Sequence, residues 1–314
     1  MIPSRPRSVI LRAGLVAGAL ASWGCATPAP IPAQGIASAD TAALMQTVRV
    51  LAADSMEGRR AGTPGGARAR RYLIARLEAL GIAPLDRSYE HNFVLPRDSA
   101  GGVNILAALP GTRQDAAYIV LSAHYDHVGI RRGEVYNGAD DNASGVAAVL
   151  AIAAVLKKAP LAHPVIIALF DAEEGGLVGA RAMVANPPVP RDRLGIDINL
   201  DMVGHSESGR LWVAGAAQSP QFRPLLDSLA AAAPVVLKLG HDRKGVPGEE
   251  DWSGSSDHGP FHAAGIPFLY FGVEDHKDYH KSTDDPETLT PVFFGKAVGT
   301  ILEALRRVDS MLGR

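Results

Sequence analysis

Few segments of this sequence leave as little freedom as Pro164-Val165-Ile166-Ile167-Ala168-Leu169-Phe170, which runs straight into Asp171-Ala172-Glu173-Glu174-Gly175-Gly176. An apolar run rich in β-branched residues, with no polar alternation, predicts a strand covered on both faces, as in a parallel sheet. Open α/β sheets bind ligands beyond the carboxyl ends of their strands, and two adjacent glutamates stand there. Neighbouring carboxylates repel each other and resist desolvation. A solvated acidic loop would accommodate them. A bound cation would instead divide their work, one glutamate as ligand and the other as base.

The remaining strand ends bear on that choice. Tyr118 to Ala123 reads as a strand entering His124-Tyr125-Asp126-His127. A His-x-Asp spacing on an extended segment puts both side chains on one side. A metal-bound imidazole usually donates its second N–H to an orienting group, a role open to Asp126. Asn137 to Gly145 places Asp140 and Asp141 ahead of an apolar helix, Val146 to Lys158. There they either complement the helix dipole or present a carboxylate that bridges two cations. Gly195 to Gly204 reads as a strand with Asp201 near its end, and Pro267 to Gly272 as a last buried strand whose exit loop carries Tyr279 and His280.

His124, Asp141, Glu174, Asp201 and His280 form a nitrogen and oxygen donor set suited to zinc and, less selectively, to cobalt or manganese. Five donors are too many for one tetrahedral ion with an open position. They suffice for two ions sharing a carboxylate and a bridging water, with Glu173 left over as base.

The rest of the chain reads as support. Thr41 to Ala53 and Ala67 to Leu80 have helical spacing, with Asp40 an N-cap and Gly81 a C-cap. Between them lies a glycine-rich loop, Ser55 to Gly66, without the Lys-Ser/Thr of a nucleotide loop. Gly102 to Leu109 and Ala116 to Ala123 read as strands joined at Pro110-Gly111. Leu177 to Ala185, Pro220 to Ala232 and Pro291 to Leu312 read as helices, and Gly240 to Ser255 as a polar loop fit to wall a cleft. His127 and His258 fall near the site and are read as possible supports of its ligands. His91, His163, His205, His241, His262 and His276 are expected to be structural or at the surface. Together these elements predict one α/β domain over 40–314.

The N-terminus belongs to no such domain. Arg5, Arg7 and Arg12 precede a short apolar stretch, Ala13 to Ala21, which reads as an export signal over 1–24. Cys25, the single cysteine, stands where a bacterial lipoprotein signal would place its lipidated residue, although Ser22 and Trp23 depart from the usual pattern. A Pro/Ala-rich tether follows over 25–39. The expectation is an outer-membrane or periplasmic lipoprotein, or a secreted protein if cleavage is ordinary, with no membrane contact beyond that anchor. The full chain carries a net charge of −2. With no basic patch, nucleic acid is not an expected partner.

In order, His-x-Asp, Gly-Ala-Asp-Asp-Asn-Ala-Ser-Gly, Glu-Glu-Gly-Gly-Leu, Asn-Leu-Asp-Met, Ser-Asp-His and Tyr-His resemble metallopeptidase family 28, the secreted bacterial and fungal aminopeptidases. The resemblance covers about residues 40–310, in a compact form without a protease-associated insertion. It implies a three-layer α/β/α sandwich with a mostly parallel central sheet, and two zinc ions per chain. His124 and Asp201 would hold the first ion, Glu174 and His280 the second, and Asp141 would bridge them. Glu173 would be the general base, Asp126 would orient His124, and Tyr279 would stabilise the oxyanion. The implied substrates are peptides with a free N-terminus. Carboxypeptidase or dipeptidase activity, glutaminyl cyclisation and a catalytically dead binding module are the competing readings, and the oligomeric state stays open.

Overall fold

The computed structural model describes residues 1, 36–96, 98–113 and 115–312. The segment read as an export signal (beyond Met1), Cys25 and the expected tether up to residue 35 lie outside the described residues. In chain order the elements are α1 (Thr41–Leu51), α2 (Pro64–Ala79), β1 (Ala83–Pro84), β2 (Glu90–Leu95), β3 (Asp98–Leu109), β4 (Tyr118–His124), β5 (Gly129–Arg131) and β6 (Glu134–Tyr136). They continue with α3 (Gly145–Lys158), β7 (Val165–Phe170), α4 (Val178–Ala185), β8 (Leu194–Leu200), β9 (Arg210–Ala214), α5 (Arg223–Ala232), β10 (Val236–Leu239), α6 (His258–Ala263), β11 (Phe268–Gly272) and α7 (Pro291–Leu312).

The central sheet runs β1-β3-β7-β4-β8-β11-β9-β10, with β2 paired to β3. Its middle, β7-β4-β8-β11, is parallel, while β3 meets β7 and β9 meets β11 antiparallel. The apolar run of β7 explains itself through alternation. Val165, Ile167 and Leu169 join the core under α1, α2, α3, α5 and α7, whereas Ile166, Ala168 and Phe170 face α4 and α6. Both faces are covered, so neither parity can be polar. The stretch Ala139–Lys158, which includes α3 and is long and apolar enough by composition to cross a membrane, is mostly buried inside the domain instead.

Pro110-Gly111 lies in the connection from β3 to β4 as expected, and β7 is inserted between those two strands and pairs with both. A turn signal marks a change of direction and cannot reveal a later strand inserted between its flanks. In addition, residues 36–39, expected in the tether, pack on the domain. Ile36 and Ala39 lie against the core, and the Ala39 N–H donates to Gly295 O at 2.9 Å. A Cβ at Gly299 would come within 2.1 Å of Ala37 O, so small residues on α7 let this segment lie close. The N-cap expectation for Asp40 is met, since its carboxylate accepts from the N–H groups of Ala42 and Ala43.

The chain leaves β4 for β7 on one side and later returns to β8 on the other. Strand order therefore reverses at the carboxyl end of β4, the place where such sheets open a crevice.

Candidate metal centre

That crevice gathers the residues from the strand ends. His124 is the last residue of β4, and Asp201 directly follows β8. Glu173 and Glu174 lie in the turn after β7, Asp141 in an irregular turn before α3, and His280 in the loop after β11. Ala172, Met202 and His280 all hold positive φ (59°, 57° and 53°). Such left-handed conformations in residues with a Cβ cost energy and tend to cluster at functional sites.

The donor atoms converge in two groups sharing Asp141. His124 Nε2 lies 3.2 Å from Asp201 Oδ1 and 3.4 Å from Asp141 Oδ1. His280 Nε2 lies 3.1 Å from Asp141 Oδ2 and 3.3 Å from Glu174 Oε2. Zinc with ligand bonds of about 2.0–2.2 Å in a tetrahedron sets its ligands about 3.3–3.5 Å apart. Three of the four separations fall close to that range, longer than an ordinary charge-assisted hydrogen bond.

The chemistry of the groups agrees with this spacing. His124 Nδ1 sits 3.2 Å from the carbonyl of Asp126, to which it can only donate, so Nε2 turns its lone pair toward two carboxylates. Only a cation between them, a proton or a metal, makes that arrangement favourable. With a proton as that cation, His124 titrates well above the ordinary histidine range. Burial alone would lower it, and the charges of Asp201, Glu173 and Asp141 outweigh burial. Asp201 is held below the usual carboxylate range although burial opposes this, because His124 and a bond from Ser256 favour its charge. Burial would also raise Glu174, but His127 and His280 close by hold it far down. His280, held by Asp141 and Glu174, is pushed up to about 10.

His127 is drawn in more closely than expected. Fully buried, it brings Nδ1 to 2.7 Å from Glu174 Oε1 and 3.6 Å from Asp141 Oδ2. Neither ring nitrogen nor Glu174 Oε1 has a hydrogen bond in line among the described residues. His127, Asp141 and Glu174 thus form a second candidate ligand group beside His124, Asp141 and Asp201. Orphaned buried donors are costly unless something satisfies them, and the residues fit a pair of cations. The signal for His127 is in the sequence, since His-x-Asp-His puts a second imidazole one turn of loop further on.

Asp126 lies against His124 and also reaches the turn after β7. Its backbone carbonyl is the nearer partner of His124, while its carboxylate is 3.8 Å from that ring. Oδ1 instead accepts the Glu173 N–H at 3.0 Å, which fixes the turn that presents both glutamates. Glu173 itself titrates well above the ordinary carboxylate range, through burial first and then the nearby Asp257, Asp201 and Asp126, with His124 opposing. Tyr279 stacks on His280 at 4.0 Å between ring centres. Burial and the surrounding carboxylates raise its phenol, so it stays a hydrogen-bond donor.

Several residues that the sequence left unassigned hold these loops. Arg59, wholly buried, donates to the carbonyls of Leu51, Tyr125, Asn137 and Gly138, tying α1 to the loops that carry His127 and Asp141. Desolvation lowers it to about 10, with Asp141, Asp284, Asp126 and Glu174 opposing. Asp284 accepts from the N–H groups of Asp140 and Asp141, joining the His280 loop to the bridging aspartate. Asn142 donates to Leu200 O and accepts from Met202 N–H, bolting the Asp141 turn to the end of β8. Asp140 accepts from Gly204 N–H and faces His276 at 3.2 Å, and His276 stacks on His205. His258 is neutral in the core, lowered to about 4 by burial, and lies 2.7 Å from Trp252 O.

A cavity of about 420 Å³ opens over the centre, with Met202, Trp252, Tyr270 and Tyr279 as apolar walls and Glu250 and Asp275 adding charge. Trp252 and Glu250 come from the loop expected to wall a cleft. A buried cluster of histidines and carboxylates, placed beyond the parallel strands and open to such a cavity, is the arrangement of a metal-dependent hydrolase.

The chain belongs to peptidase family M28, whose model matches residues 104–305. It is 27% identical over 270 residues to leupeptin-inactivating enzyme 1 of Streptomyces exfoliatus, covering 84% of this chain and 56% of that protein. It is 35% identical over 156 residues to aminopeptidase YwaD of Bacillus subtilis, covering 49% of this chain and 31% of that one. The matches thus span about half, and about a third, of those relatives' lengths. Among solved structures, the zinc aminopeptidase BSAP from Bacillus subtilis superposes with a TM-score of 0.69 at 18% identity, over 86% of this chain and 95% of that one. The glutaminyl cyclase of Porphyromonas gingivalis does so equally, at 0.69 and 20%, over 87% and 99%. At these identities the superpositions speak for the fold.

Proposed function

We propose that the protein is a two-zinc aminopeptidase that removes the N-terminal residue from peptides outside the cytoplasm. The observation that carries this reading is the pair of donor groups sharing Asp141, spaced like the edges of zinc coordination. His124 and Asp201 would hold one ion, Glu174 and His280 the other, with Asp141 shared and His127 supporting Glu174. When bound, zinc supplies Lewis acidity for the scissile carbonyl and brings the pKa of water toward neutrality. Glu173, set in the turn after β7 beside Glu174, takes the proton of the attacking water and delivers it to the leaving amine. The Tyr279 hydroxyl donates to the developing oxyanion. Acidic side chains in the 420 Å³ cavity, Glu250 and Asp275 among them, attract the free ammonium, and the aromatic walls hold the first side chain.

Export rests on the sequence of residues 1–25, with lipidation at Cys25 as the reading that accounts for a lone cysteine in that place. Mass spectrometry of the protein from a bacterial membrane fraction, with Cys25→Ser as control, tests it. For the activity, zinc is counted in the purified domain beside hydrolysis of leucine p-nitroanilide and its N-acetyl derivative. About two zinc per chain and cleavage of the free amine alone is the expected result. One zinc or none, with neither substrate cleaved, overturns the reading and leaves glutaminyl cyclisation and carboxypeptidase activity to be assayed.

A further inference from the structure

A second cavity, of about 680 Å³, opens on the other side of the Glu174 corner. Its inner wall includes Asp126, His127 and Glu174, so it reaches the same centre, and Glu174 lines both cavities. Its charge differs. The first cavity has no lysine or arginine in its lining, whereas this one has Arg60 and Arg131. The fold puts both arginines on the lining of this one cavity. The short β5–β6 hairpin is joined at Gly129 to the turn before α2, and a Cβ at Gly129 would stand 2.8 Å from Cβ of Arg60. Gly129 has φ +83° and lies two residues from Arg131, on the same side of β5. Arg131 has Tyr136 beneath it, with Cζ 5.8 Å from the ring centre. Neither guanidinium has a hydrogen bond or an ion pair among the described residues.

We propose that Arg60 and Arg131 form a subsite for a carboxylate on the leaving side of the scissile bond. This rests on the aminopeptidase reading above, with the N-terminal residue in the first cavity and the leaving residue in the one that carries the arginines. Planar guanidinium groups match carboxylates in geometry as well as charge. The carboxylate has two sources: the α-carboxylate of a dipeptide, or the side chain of Asp or Glu as the leaving residue. The enzyme is then selective for very short peptides or for an acidic second residue.

The test compares kcat/KM for Leu-Ala with Leu-Ala amide, and for Leu-Asp amide with Leu-Asn amide, in the zinc-loaded wild type and in Arg60→Gln/Arg131→Gln. Wild type is expected to favour the acid member of at least one pair about tenfold, mainly through KM, and that pair names the source. The double glutamine variant should bring the ratio close to one, and Arg60→Lys/Arg131→Lys should recover part of it. Equal rates within both pairs in wild type, or a preference that survives the glutamine variant, overturn the subsite. If leucine p-nitroanilide and every peptide are inert, the aminopeptidase reading fails by itself. The subsite is then judged by calorimetry on Glu173→Gln protein. About tenfold tighter binding of Leu-Ala than of its amide, lost when Arg60 and Arg131 are replaced, supports it, and equal binding overturns it.

Discussion

The two corners of the centre are built to different standards. The His124 corner stands on the sheet: its imidazole ends β4, Asp201 follows β8, and the His124 side chain is 1% exposed. The His280 corner hangs from a loop after β11, and its imidazole is 40% exposed. Both share Asp141, which Asn142 and Asp284 hold to the sheet and to the loop respectively. A ligand pair on adjacent strands has its spacing set by strand pairing. A ligand on a loop is positioned by whatever the loop touches, here Asp284, His127 and the stacked Tyr279. The first corner is thus the better organised before a cation arrives, and the second gains more order from it.

On the proposed mechanism the largest effect should come from Glu173. Glu173→Gln is expected to lower kcat by about 10³-fold or more with zinc content unchanged, read by activity and elemental analysis. Asp141→Ala should remove the sharing itself, leaving less than one zinc per chain. The contrast between corners is sharpened by His280→Ala and His124→Ala. The first should keep about one zinc per chain after gel filtration, the second should lose the tighter ion. Equal zinc loss from both variants would break the comparison.

Next in size is Arg59→Met. It leaves four buried carbonyls without their donor and several carboxylates without a nearby cation, at a cost on the order of 3–5 kcal/mol. Thermal or urea unfolding of the metal-free protein measures it.

The smallest effect concerns Asp257, a fully buried carboxylate with neither oxygen hydrogen-bonded among the described residues. Burial pushes it up to about 7, with His124 opposing and Asp201 adding to the rise. Unfolded, such a group titrates near 3.9. Between about pH 4 and 7 the folded state therefore binds a proton that the unfolded chain has lost, and stability falls as pH rises through that window. Asp257→Asn should escape the loss. At pH 8 the metal-free variant should be more stable than wild type, with the gap closing by pH 4, as urea unfolding at the two pH values measures. Added zinc should narrow the gap, because nearby cations favour the ionised carboxylate.

Much of the fold was legible because local rules govern it. Asp40 caps α1 as expected of an aspartate before an apolar-periodic run, and β7 is buried on both faces as its unbroken apolar run requires. His124, Asp141, Glu174, Asp201 and His280 each follow a strand or precede a helix, so their meeting followed from the parallel topology that places such ends together. The strands β1, β2, β5, β6 and β10 were not legible, since none of these short segments has the unbroken apolar run that marks β7. Arg59 was hidden for another reason. Its partners are main-chain carbonyls from segments up to 79 residues away, and a carbonyl leaves no mark in the residue alphabet.

By itself, then, the sequence determined which chemistry the strand ends bring, because side-chain type is written residue by residue and sheet direction follows from strand and helix alternation. Only the tertiary structure decided how the donors are apportioned. It brought His127 to Glu174, turned the Asp126 carboxylate toward the Glu173 backbone, and placed Arg60 and Arg131 on the lining of a second cavity. Those outcomes depend on loop paths fixed by distant backbone hydrogen bonds and by close approaches at glycines such as Gly129, which no local pattern encodes.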